Sequence, residues 1–127
     1  MNVTKWVPGQ AWSATITVPA ISSDTFAVTI QLKDFAGNDL AVPAAVFAYV
    51  SSDSAGLDPS DLTSEITTTS GGDGATLVTL AKYSWLLISE ADGDIAIDMT
   101  DTGTDAKYLV LVMPNGKLEV STVLTYT

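Results

Sequence analysis

FAVTIQLKDFAGNDLAVPAAVFAYV, residues 26–50, carries most of what the chain discloses about its fold. Its first part alternates: Phe26, Val28, Ile30 and Leu32 share one face, and Ala27, Thr29, Gln31 and Lys33 the other. Period-two alternation marks a strand with one face in a core and one in water. Asp34-Phe35-Ala36-Gly37-Asn38-Asp39 then breaks the pattern with residues that tolerate turn geometry, and raises the question of a ligand loop against a plain bend. The last part is different. Val42, Ala44, Val46, Ala48 and Val50 fall on one face, but Ala45, Phe47 and Tyr49 on the other are apolar too. Something must cover that second face, since large exposed apolar patches are uncommon on soluble monomers. The candidates are the N-terminal arm, the 51–74 loop, or another chain.

The same alternation recurs outward from this stretch. Trp12, Ala14, Ile16 and Val18 predict a strand at 12–18 that places Trp12 in the core. Further strands are expected at 75–80, 83–89, 94–100, 107–113 and 117–126, with a short one near 65–68. Pro114-Asn115-Gly116 between two apolar runs is a hairpin signal. Trp85 has apolar neighbours on both faces and is read as core. Asp58-Pro59-Ser60-Asp61 is expected to seed a single helical turn within the Ser-, Thr-, Asp- and Gly-rich stretch 51–74. No stretch carries a 3.6-residue apolar period. Short antiparallel strands at this spacing predict an all-β sandwich.

Composition narrows the chemistry. The 127 residues suit one domain, and 46% hydrophobic content argues against disorder despite a net charge of −10. There is no cysteine and no histidine, and all five basic residues are lysines. Ser-His and Cys-His nucleophile pairs are therefore absent. An acidic chain without arginine lacks the cationic surface that neutralises phosphates, so neither nucleic acid nor an anionic membrane is an expected partner. Glu90, Asp92, Asp94 and Asp98 form the densest carboxylate group, but they sit in and beside a predicted turn and read as a solvated acidic hairpin. Glu90-x-Asp92-Gly93-Asp94 lacks the order of a calcium-binding helix-loop-helix, and Gly71-Gly72-Asp73-Gly74 lacks the stacked neighbours of a calcium-binding repeat. No catalytic residue, metal or cofactor is expected.

Val28-Thr-Ile-Gln-Leu-Lys-Asp-Phe-Ala-Gly-Asn-Asp-Leu-Ala-Val-Pro resembles the early strands of bacterial immunoglobulin-like domains of the invasin or intimin type. Ser89-Glu-Ala-Asp-Gly-Asp-Ile-Ala-Ile-Asp-Met resembles the same family's later turn and strand, and Tyr108-Leu-Val-Leu-Val with Leu118-Glu-Val-Ser its final hairpin. The resemblance implies an immunoglobulin-like antiparallel β-sandwich over 26–127, preceded by an N-terminal arm and edge strand over 1–25. The family usually occurs in tandem on exported adhesins, whereas the Met1–Ala14 stretch has no secretory-signal pattern. A single such domain is similar in kind to accessory structural proteins of tailed-phage virions, which assemble in the host cytoplasm. That similarity implies a decorating or stabilising role on capsid or tail subunits, or between copies of the chain. An assembly interface is then expected at Trp6, Val7, Pro8, Trp12, Phe47 and Tyr49, with Trp6 either padding the sandwich edge or inserted into a neighbouring subunit. A carbohydrate- or cell-surface-binding module is the alternative.

Overall fold

The structure, a computed structural model, describes residues 10–19, 24–63, 66–68, 73–81 and 83–126, with 68 and 77–81 described by backbone alone. It holds ten strands: β1 (Ser13–Thr17), β2 (Thr25–Lys33), β3 (Ala45–Ser51), β4 (Thr67–Thr68), β5 (Ala75–Ala81), β6 (Ser84–Ile88), β7 (Asp94–Thr100), β8 (Ala106–Val112), β9 (Leu118–Val120) and β10 (Leu124–Thr125). No helix occurs among the described residues. The turn expected at 58–61 is instead drawn into extended pairing, with Pro59 bridged to Ser51 and Ser60 N–H donating to Val50 O.

The strands form two antiparallel sheets, ordered β1-β2-β7-β4 and β10-β8-β3-β6-β5, with β9 also paired to β8. The first order matches the A-B-E-D sheet of an immunoglobulin-type sandwich, and β10-β8-β3 matches G-F-C. The β5–β6 hairpin extends the second sheet beyond β3, and it follows the edge strand β4 in sequence rather than preceding it. To pass from the edge of one sheet to the edge of the other, the chain turns at Gly74. Its φ is +78°, and a Cβ there would fall 2.5 Å from Ile88 O, so only glycine fits the crossing.

The inner faces close one core. Phe26, Val28, Ile30 and Leu32 of β2 meet Ile95, Ile97 and Met99 of β7 across one sheet. Val46, Ala48 and Val50 of β3 lie beside Trp85 and Leu87 of β6 and Leu109 and Leu111 of β8 in the other. All are buried, as their alternation predicts. Phe26 and Tyr126 meet edge-to-face at 5.0 Å, and the Tyr126 hydroxyl donates to Met99 O. This ties the C-terminal end of the second sheet to the first.

Two local departures have physical causes. The strand expected over 117–126 is broken: β9 pairs Val110 with Val120, whereas β10 pairs Lys107 with Leu124. The register slips by one residue, a β-bulge around Ser121. Ser121 holds the bulge by accepting from Leu109 N–H with its hydroxyl while its own N–H donates to Leu109 O. The second departure concerns Trp12. Ala14, Ile16 and Val18 pack against the core as expected, but the buried position next to β1 is filled by Ala11. Trp12 is half-buried and packs edge-to-face on the exposed Phe35 at 5.0 Å, because its backbone lies ahead of β1 beside the 34–38 turn. That turn is a structural bend. The Asp34 carboxylate accepts from the N–H groups of Ala36 and Asn38, which closes the turn on itself.

Candidate functional site

The two outer faces of the sandwich differ in chemistry. On the four-stranded sheet, Thr15 and Thr17 of β1, Thr29, Ile30 and Gln31 of β2 and Asp94 and Ile95 of β7 line a hollow of about 260 Å³ together with Asp73. Carboxylates crowd its rim. The negative charge of Asp73 holds the Glu90 carboxyl above its ordinary range, with desolvation, a hydrogen bond to Asp73, and Asp92 and Asp94 adding. Asp94 is raised too, first by desolvation and then by Asp92 and Asp73. Unlike-charge partners would lower these values, so the crowding is repulsive. Among the described residues no group of three or more His, Cys, Asp or Glu has the arrangement of a metal site.

The outer face of the six-stranded sheet is apolar. Ala45, Phe47 and Tyr49 of β3 lie on it beside Leu86 and Ile88 of β6 and Val110 and Val112 of β8. Part of it is covered from within. Residues 52–58 fold back so that the Tyr49 hydroxyl donates to Gly56 O. A Cβ on Gly56 would fall 3.2 Å from that hydroxyl and 3.3 Å from Val110. Val110 is consequently fully buried although it lies outside the core cluster. Within the 51–74 loop, one of the three candidate covers, residues 52–58 thus shield Tyr49 and Val110.

Among the described residues a groove of about 330 Å³ stays open, lined by Phe47, Tyr49, Pro59, Tyr83 and Ser84. The rings of Phe47 and Tyr49 are 6.2 Å apart and tilted by 40°, and Tyr83 in the lining stands exposed. Burial pushes the Tyr49 phenol up, so it stays a neutral donor committed to Gly56. Pro59 forms one wall of the groove and is held by a buried cation. Lys107 Nζ donates to Ser60 Oγ at 2.8 Å and Asp61 O at 2.6 Å, and pairs with the buried Asp101 carboxylate at 3.5 Å. Ser51 Oγ, donating to Asp53 O and Asp58 O, fixes the start of the same loop.

Of the six interface residues expected from sequence, the structure brings together Phe47 and Tyr49. Trp12 does not line that groove and lies near the 34–38 and 114–116 turns. Trp6, Val7 and Pro8 lie outside the described residues. Sequence reasoning did not place Tyr83, Pro59 or Lys107 at the interface. Tyr83 sits at the β5–β6 turn directly before the strand that pairs with β3, a cue legible only once that pairing is known.

The geometry defines a β-sandwich with one polar, acidic outer face and one apolar, aromatic outer face. In comparisons with known proteins the chain matches no family model, no curated protein and no solved structure.

Proposed function

We propose that the chain is a non-enzymatic structural accessory protein of a larger particle, of the tailed-phage virion kind that its sequence resembles. It attaches to capsid or tail subunits by burying the outer face of the six-stranded sheet. The observation that carries this reading is the open groove of Phe47, Tyr49, Pro59 and Tyr83 on a sheet face that water would normally meet. Aromatic side chains in such a groove supply the concentrated binding energy of protein interfaces. The opposite face, with its threonines and crowded carboxylates, suits solvent. A net charge of −10 then favours solubility of the free chain before assembly.

The test is occupancy on the particle. Phage particles that carry the chain are purified on a density gradient, and its ratio to the major subunit is measured for wild type and Tyr83→Ser. Tyr83 is 37% exposed, so the substitution leaves the thermal midpoint in place. Loss of an anchor worth about 2 kcal/mol weakens attachment roughly thirtyfold. Unchanged occupancy at limiting concentration sinks the reading. The exposed Tyr83 ring beside Pro59 also favours a second reading, a carbohydrate-binding module, and binding on a glycan array that disappears with Tyr83→Ala would support that one instead.

A further inference from the structure

The Pro59 wall of the groove continues into a segment whose alternation shows in its burial. Ser60 and Leu62 face inward, the first through its hydroxyl to Lys107 Nζ and the second into the core, while Pro59 and Asp61 are exposed. Pro59 is bridged to Ser51 and lines the groove with Phe47 and Tyr49. Asp61 therefore shares the side of Pro59 and stands two residues beyond it, about 7 Å along the extended chain. Only its carbonyl is engaged within the fold, by Lys107. Among the described residues the ion pairs take Asp39, Asp101 and Glu119, and leave Asp53, Asp58 and Asp61 without a cation. Lys82, next to Tyr83 in sequence, lies outside the described residues, and these three carboxylates outnumber it. We propose that the groove receives a segment of the particle subunit that presents an apolar or aromatic side chain with Lys or Arg beside it, the cation pairing with Asp61. The inference rests on reading the groove as a docking surface, and it names the chemistry of the partner.

Charge complementarity selects this partner. A surface seated against Pro59 comes close enough to Asp61 to displace water from its carboxylate. A neutral or acidic surface would leave that charge partly desolvated and unpaired, which costs affinity, whereas a cation offsets the loss. The division of labour follows: the apolar side chain in the groove supplies the holding energy, and the charge pair at its rim sets rate and register. A net charge of −10 steers the free chain toward a cationic site in the same way. A second copy fits less well. It carries the same net charge, and the lysines whose surroundings are described, Lys33, Lys107 and Lys117, are each already paired within the fold.

The test adds purified full chain, over a range of concentrations, to particles assembled without it and measures the bound chain after density-gradient separation. Asp61→Lys and Asp61→Asn are compared with Tyr83→Ser and with Asp92→Lys, which changes the net charge as Asp61→Lys does but lies at the rim of the other sheet's hollow. Thermal midpoints establish that each variant is folded. The concentration for half occupancy is expected to rise roughly tenfold for Asp61→Lys, by less for Asp61→Asn, and to stay at the wild-type value for Asp92→Lys. Raising salt from about 50 to about 500 mM should weaken wild type and leave Asp61→Lys no weaker. Asp61→Lys that binds as wild type does, or Asp92→Lys that weakens as much, overturns the proposal. Tyr83→Ser lost from particles while Asp61→Lys is retained rejects the cation and leaves the docking reading standing. Occupancy indifferent to Tyr83→Ser removes the docking reading and this inference with it. Two other occupants have their own signatures, and either one overturns the proposal. Sedimentation of wild type at twice the 13.2 kDa chain mass, lost with Tyr83→Ser, would give the groove to a second copy. Tyr83 ring resonances that shift in monomeric Trp6→Ala would give it to the chain's own N-terminal residues.

Discussion

Replacing Lys107 by methionine keeps the length of the side chain and removes its charge. The ammonium is buried, with a side-chain exposure of 6%, and the Asp101 carboxylate it faces is 2% exposed. Its loss leaves that carboxylate buried with Gly103 N–H as a remaining donor. It also strips the Ser60 hydroxyl and Asp61 carbonyl of their donor. Breaking a buried ion pair from one side costs about 3–5 kcal/mol. A domain of this kind has only about 5–15 kcal/mol to lose. With a urea dependence of about 2 kcal/mol per M, the unfolding midpoint should fall by roughly 1.5–2.5 M. The pair Lys107→Met with Asp101→Asn should recover part of the loss, since the stranded charge is then gone. A midpoint within about 0.5 M of wild type for Lys107→Met alone would refute the reasoning, and would mean that water reaches Asp101 when the lysine is absent. Because the same lysine holds the Pro59 wall, the variant should also weaken any binding in the groove under conditions where it stays folded.

Three further outcomes follow from the geometry. Gly74→Ala should destabilise by more than the about 1–2 kcal/mol of left-handed strain, because its Cβ meets Ile88 O at 2.5 Å; denaturant titration measures it, and a loss below 1 kcal/mol would show that the sheet crossing can shift. Ser121→Ala should cost about 1–3 kcal/mol by orphaning the Leu109 N–H, and it should speed amide exchange at Leu109, while unaltered exchange would discount the bulge. For pH, the folded-state values of Glu90 and Asp94 are raised, so the native state binds more protons than the unfolded chain. Stability should then fall as pH rises from about 4 through the raised folded values, and Asp94→Asn should flatten that decline; an identical pH slope in the variant would discount the repulsion.

The strands of the core were legible because burial on one face imposes period two on the sequence. Phe26, Val28, Ile30 and Leu32, or Ile95, Ile97 and Met99, announce both element and facing without reference to any neighbour. The apolar outer face was legible as an anomaly at Phe47 and Tyr49, and two of its covers stayed open. What the pattern could not convey was pairing. Lys107 reads as an ordinary strand-end lysine until the 58–61 segment is brought to it from far away in the chain and buries it with the nearby Asp101. Trp12 shares the parity of Ala14 and Ile16, yet parity says nothing about where a sheet ends, and Ala11 holds the buried place. The break at Ser121 was hidden because a bulge is a mismatch between two strands, and one strand alone cannot show it.

By itself, then, the sequence determined an all-β chain of alternating strands, glycine-marked turns, an acidic hairpin turn and no histidine or cysteine chemistry. These are local properties, set by backbone sterics and by the sorting of apolar from polar side chains. Only the tertiary structure decided that the 52–58 loop shields Tyr49 and Val110 and that Lys107 braces Pro59. It also decided that Phe47, Tyr49 and Tyr83 open onto one groove. Those features depend on which distant strands become neighbours, and that choice is made by the closing of the whole core.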